Sequence, residues 1–279
     1  MYTTRMIETS RGVFEVFVKG EGEPLCATHL YSQFNEKGNY FADTFTEEFK
    51  VYLVNLRGAG NSSPVIEDDE MSMESAVKDM ESIRETLGID RWAFAGHSTG
   101  GMLGLVYALQ AGESLTKLFC SGASADMNYA KHPDSIYCAE NPNNERMRGI
   151  LALFRSEDTT REERIAAGRE WGAMSLYRPE KADEYYAKPS SGAVISERVD
   201  YFSYVDGPEY DVVEDLKNIS TPTLVASGRH DAQCPLDCSI QIADGIPEAK
   251  LEIFEESNHN AFVEEKDKFK RVVSQFKEM

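Results

Sequence analysis

Between Arg91 and Glu113 run 21 residues without a formal charge, and their first half contains Gly96-His97-Ser98-Thr99-Gly100-Gly101. That length could span a bilayer. A span would, however, place a polar, glycine-rich backbone in hydrocarbon, so a buried strand (Trp92–Ala95) running into a buried helix (Met102–Gln110) accounts for the residues better. A strand, a tight turn and an apolar helix form the repeating unit of a sheet with helices packed on it.

The rest of the chain repeats that unit. Arg5–Thr9 and Val13–Val18, separated by Ser-Arg-Gly, read as an opening hairpin. Pro24–Thr28, Val51–Leu56, Leu118–Cys120, Thr223–Ala226 and Leu251–Phe254 have the length of buried strands. Met73–Leu87, capped by Ser72, Ile240–Ile246 and Ala261–Phe276 read as helices. The expected class is α/β: a mostly parallel sheet flanked by helices, with its core in residues 1–123 and 219–279. The alternation stops over 124–218, which carries 31 charged residues and 8 of the 13 tyrosines and has no clear strand run. Glu157–Ala173 and Pro179–Tyr186 look helical there, so this segment is expected to be an inserted, mostly helical cap. Its tyrosines suit either half-wet helical packing or a pocket wall.

Gly96-x-Ser98-x-Gly100 between strand and helix has a steric logic. A sharp strand-to-helix turn presses its flanks together, which favours glycine at 96 and 100 and lifts Ser98 to the sheet end beside a helix N-terminus. A serine hydroxyl needs a base to take its proton and an acid to orient that base. Of the histidines (29, 97, 132, 230 and 259), His97 adjoins the nucleophile and is expected to pack beside the turn. His259 follows Leu251–Phe254 and precedes the last helix, where catalytic loops of parallel sheets converge, so it is the base candidate. Asp231, in the loop after Thr223–Ala226, is the acid candidate, with Asp126 in reserve. A metal site at His230, Asp231, Cys234 and Cys238 is the weaker alternative, because no second cluster closes it.

Composition limits the partners. With 48 acidic and 29 basic residues the formal charge is −19, which argues against nucleic acid or an anionic bilayer as a binding partner. Residues 124–218 hold 19 acidic and 12 basic residues, close to their share by length, so the acidity is spread along the chain rather than gathered into a cation-binding surface. The first ten residues contain no apolar run after Arg5, and the five cysteines (26, 120, 138, 234, 238) form an odd, dispersed set. A reduced, cytoplasmic protein without a secretory leader is the expectation.

With these residues in place, the chain resembles the α/β-hydrolase superfamily. The likeness covers roughly 5–123 and 219–277 and rests on the turn at Gly96–Gly100, the loop Gly228–Asp231 with Pro235 beyond it, and the loop Ser257–Val263. Asn55-Leu-Arg57-Gly58-Ala-Gly60-Asn-Ser62 is similar to the superfamily's D-x-R-G-x-G-x-S loop, with Asn55 in place of Asp. The mid-chain cap is most like those of proline iminopeptidases and related esterases and carbon–carbon bond hydrolases. Ser98 at the nucleophile position separates the chain from dehalogenases and epoxide hydrolases of the same fold. The resemblance implies two oxyanion-binding amides, Thr99 N–H and, from the loop after the third strand, Tyr31 N–H, or Leu30 N–H if the register differs by one. That loop reads His29-Leu30-Tyr31-Ser32-Gln33, where relatives carry glycines.

These readings lead to a hydrolase that cleaves a small ester or amide through an acyl-enzyme, without cofactor or metal. An iminopeptidase-type aminopeptidase is one alternative, for which Glu140, Glu145, Asp206, Glu209 and Asp211 are available as ammonium partners. A small-molecule receptor on the same fold, keeping the triad with little turnover, is the other.

Overall fold

The computed structural model describes residues 1–156 and 158–279. Eight strands form one sheet: β1 (Thr3–Thr9), β2 (Gly12–Lys19), β3 (Pro24–Thr28), β4 (Lys50–Val54), β5 (Trp92–His97), β6 (Leu115–Ser121), β7 (Thr223–Gly228) and β8 (Lys250–Phe254). Their spatial order is β1-β2-β4-β3-β5-β6-β7-β8, with β1–β2 and β2–β4 antiparallel and the remaining pairs parallel. Six longer helices accompany it: α1 (Met73–Thr86), α2 (Thr99–Ala111), α3 (Asn144–Arg155), α4 (Arg161–Met174), α5 (Leu236–Gly245) and α6 (Lys266–Lys277).

Both faces of the sheet are buried, and the two-residue period of the strands divides the core. Tyr52, Val54, Trp92, Phe94, Leu118, Cys120 and Val225 join the apolar residues of α1, α2 and α5 on one face. Their neighbours Val51, Leu53, Ala93, Ala95, Phe119, Leu224 and Ala226 pack on the other face against Phe41, Phe45, Phe49 and the Phe269–Phe276 side of α6. Ser72 caps α1 by accepting from the Ser75 N–H, as the sequence suggested. No helix among the described residues is long and apolar enough to cross a membrane.

Some expected elements differ. Ala261–Phe276 is two helices, Ala261–Glu264 and α6, broken at Glu265. The physical reason lies in what the acidic pair does: Glu265 accepts from the Glu256 N–H and the Ser257 hydroxyl, and Glu264 accepts from the N–H groups of Asn258, Tyr177 and Arg178. The bend thus moors the loop that carries His259. Between β6 and β7, α3 is an amphipathic helix that periodicity could have found, since Met147 and Ile150 are buried one turn apart. The helix expected from Glu157 begins instead at Arg161, capped by Thr160, and residue 157 lies outside the described residues. Pro179–Tyr186 resolves into a 3-10 turn (Pro179–Lys181) and a single helical turn (Ala182–Tyr185). This segment also contributes a strand after all: Ala193–Val194 pairs antiparallel with Ser32–Gln33, a ladder too short for alternation to reveal.

Candidate active site

The strand register brings the carboxyl ends of β3, β5, β6 and β7 side by side: Thr28 pairs with Gly96, Gly96 with Cys120, and Ser121 with Ala226. Tyr31, Ser98, Asp126, Asp231 and His259 each lie just beyond one of these ends or that of β8.

Ser98 has φ 56° and ψ −126°, a strained backbone for a residue with a side chain. The surroundings enforce it. A Cβ at Gly96 would stand 2.0 Å from the Gly100 carbonyl oxygen, and one at Gly100 would stand 2.5 Å from the Thr28 carbonyl oxygen. The Ser98 N–H donates to the Ser121 carbonyl at 2.8 Å. Thr99 opens α2, so its own N–H has no carbonyl one turn back.

His259 and Asp231 are both buried, and Nδ1 of the imidazole lies 2.9 and 3.0 Å from the two carboxylate oxygens. An ionised carboxylate can only accept, so Nδ1 carries the proton and Nε2 is left as the basic nitrogen. The N–H groups of Gln233 and Cys234 also donate to Asp231, each at 2.9 Å. The Asn258 amide oxygen accepts from the N–H groups of His259 and Ala232, tying the two loops together. Gly228 allows the loops to meet: a Cβ there would stand 1.9 Å from the Asn258 carbonyl oxygen. Gly122 connects this pair to the serine. It follows Ser121, has φ +54°, and a Cβ on it would lie 3.2 Å from both Asp231 Oδ2 and His259 Nδ1.

The other candidates have other contacts. Asp126, the reserve acid, accepts from the N–H and the side-chain amide of Asn128 and caps a short turn. His97 packs beside the turn as expected, its ring 4.4 Å from that of His259, and donates from Nε2 to the His259 carbonyl. Burial holds its pKa well below the usual histidine value, with the nearby His259 adding to the effect. His29 sits between Ser32 Oγ (3.0 Å) and Thr99 Oγ1 (3.2 Å), its pKa pushed down to about 3 by burial and then by His259. Tyr31 packs edge-on against His29, and burial pushes its phenol up to about 12.

His230 is exposed and stacks on Tyr177, and His132 meets Asp237 at 3.3 Å. Cys234 and Cys238 are buried, as are the other three cysteines, and all five are free. Among the described residues no three His, Cys, Asp or Glu side chains gather closely enough to hold a metal ion, and Asp231 is committed to His259.

A cavity of about 230 Å³ lies beside His29 and His97, lined by Thr28, His29, Phe41, His97, Tyr186, Asn260 and Phe262 among others, with neither Ser98 nor His259 in its lining and no carboxylate in its wall among the described residues. Glu140, Glu145, Glu209 and Asp211 are exposed. Asp206, which accepts from the Met73 N–H, lines a separate surface groove together with Glu209 and Asp211. Of the cap tyrosines, Tyr129 and Tyr210 are buried in packing, whereas Tyr186 lines the cavity.

Asn55 has a clear environment. Its amide nitrogen donates to Glu15 at 2.9 Å and to the Phe34 carbonyl, while its oxygen accepts from the Phe34 N–H. An aspartate there would face the buried Glu15 carboxylate.

Comparison with known proteins gives the family. The family described as alpha/beta hydrolase fold matches residues 16–266. The chain is 29% identical over 268 residues to a proline iminopeptidase of Xylella fastidiosa (86% of this chain, 84% of that protein). It is 26% identical over 273 residues to the 2-hydroxy-6-oxo-6-phenylhexa-2,4-dienoate hydrolase of Comamonas testosteroni (92% and 88%). An alpha/beta fold family hydrolase from Bacillus anthracis superposes with a TM-score of 0.97 at 51% identity, covering 99% of each chain.

Proposed function

The chain belongs to the alpha/beta hydrolase fold family and is a hydrolytic enzyme; from that premise we propose that it cleaves small, neutral esters or amides through an acyl-Ser98 intermediate. The observation that carries the proposal is the strained Ser98 backbone at the strand end, where the ring of the preceding His97 lies 4.4 Å from that of His259, itself paired with buried Asp231. The Ser98 hydroxyl adds to the substrate carbonyl and gives its proton to His259 Nε2, while Asp231 holds the resulting imidazolium. The Thr99 and Tyr31 N–H groups receive the oxyanion. His259 then protonates the departing alcohol or amine. A water molecule, deprotonated by His259, attacks the acyl-enzyme and releases the acid. No step requires a metal or a cofactor. Residues 124–218 serve as the cap over the site, with 1–123 and 219–279 as its base.

None of the candidate ammonium partners lines the cavity beside His29 and His97, which supports a substrate without a free ammonium, the opposite of what an aminopeptidase requires. The second reading, an iminopeptidase-type aminopeptidase, draws its support from the Xylella fastidiosa relative. A panel of p-nitrophenyl esters beside aminoacyl arylamides separates the two. Short esters should show the higher kcat/KM, and a preference for prolyl arylamide would overturn the ester reading. The receptor reading would require neither turnover nor a fluorophosphonate adduct on Ser98.

A further inference from the structure

The loop expected to supply the second oxyanion donor has no glycine, and the structure shows what holds it instead. Every residue from Leu30 to Gln33 pairs with one stretch of the cap segment. Ser32 and Gln33 form a ladder with Val194 and Ala193, and the Tyr31 carbonyl accepts from the Ile195 N–H at 2.9 Å. The Leu30 carbonyl accepts from Nε of Arg198.

Arg198 is an unusual arginine. It is 2% exposed, and among the described residues its hydrogen bonds all go to main-chain carbonyls: Leu30 through Nε, Arg57 at 2.9 Å through one terminal nitrogen and Met71 at 3.2 Å through the other. It faces Asp79, Asp206 and Arg57 only at longer range, and burial pushes its pKa down to about 10, so it remains a cation at neutral pH. Burying a guanidinium without a contacting carboxylate is costly. Its rigid fork fits three carbonyls from two connections, the one after β3 and the one between β4 and α1, which a lysine ammonium cannot reach together.

We propose that Arg198 is a positioning residue for the oxyanion hole. The Leu30 carbonyl and the Tyr31 N–H belong to one planar trans peptide and point in opposite directions. Fixing the carbonyl on the guanidinium therefore fixes where the N–H aims, a task that glycine-bearing loops accomplish by their own geometry. The cap segment and the oxyanion loop then move as one unit.

The inference rests on the serine-hydrolase reading, and the test separates the two. Wild type, Arg198→Lys and Arg198→Met are compared as full chains for p-nitrophenyl ester kinetics, thermal unfolding, fluorophosphonate labelling and inhibition by phenylboronic acid, whose tetrahedral adduct occupies the oxyanion hole. Since loss of one oxyanion donor costs about 10²–10³ in kcat, a misaimed donor should lower kcat roughly ten- to a hundredfold. KM should stay within about threefold, boronate affinity should fall by the same factor as kcat, and the acid limb of the pH profile should not move. A purely structural residue would lower Tm and leave kcat of the folded protein unchanged. Should Arg198→Met fail to fold, Arg198→Lys decides. The proposal is overturned if folded Arg198→Lys keeps kcat within about twofold of wild type, or loses kcat while binding the boronate equally well. A wild type that neither labels nor turns over would overturn both readings.

Discussion

His259 presents Nδ1 to both carboxylate oxygens of Asp231, at 2.9 and 3.0 Å, in a pair almost wholly removed from solvent. Two main-chain N–H groups hold the carboxylate from behind, so its orientation does not depend on the imidazole. This arrangement selects the tautomer that leaves Nε2 free.

Asp231→Asn keeps the shape and loses that selection. An amide can donate to Nδ1 and turn the proton onto Nε2, which disables the base. The variant should fold with near-normal Tm and lose about 10⁴ in kcat, as for other serine triads. Steady-state ester kinetics beside a thermal melt check this. A loss below about tenfold would mean that Asp231 does not orient the base.

Acid should weaken the fold through His29 and His97, both held neutral by burial. In the folded chain the His29 pKa lies near 3, against an unfolded value of 6.5. The unfolded state therefore binds the extra proton between those values, and stability present above pH 6.5 is lost as pH falls toward 3. Between pH 7 and 5 this linkage amounts to on the order of 2 kcal/mol for His29. Urea unfolding at the two pH values measures it, and His29→Gln should flatten the slope. An equal slope in the variant would locate the acid sensitivity elsewhere.

Asn55 lies between Glu15 and the Phe34 main chain. Asn55→Asp, which recreates the superfamily residue, should destabilise this chain by about 3 kcal/mol at neutral pH, because two buried carboxylates would meet. The deficit should shrink as the pH is lowered and one of them takes a proton. Urea unfolding across pH 5–8 tests this, and a variant as stable as wild type would show that Glu15 is not the reason for asparagine.

Legibility in the sequence followed the physics that placed each residue. Ser98, Asp231 and His259 could be read because their constraints are local: glycines at 96 and 100 forced by contacts of 2.0 and 2.5 Å, and loops that each follow a buried strand. The two-faced core was readable from strand runs for the same reason. Arg198 was not. Its partners are main-chain carbonyls of two connections distant in sequence, which carry no residue signature, and it is one of 12 basic residues in a charged segment. The ladder between Ser32–Gln33 and Ala193–Val194 joins residues about 160 positions apart and is two residues long, below any period. The break at Glu265 leaves no mark in the sequence because helical periodicity continues across it. What interrupts the helix is a tertiary demand, the mooring of the His259 loop.

The proposed reaction begins with Ser98 as the nucleophile. Intact-protein mass spectrometry after treatment with a fluorophosphonate, with peptide mapping and a parallel Ser98→Ala sample, tests it most directly. One stoichiometric adduct is expected on Ser98 in wild type and none in Ser98→Ala, and kcat should fall by about 10⁴–10⁶ in that variant. An unlabelled Ser98, or a Ser98→Ala protein that turns over esters at the wild-type rate, would contradict it.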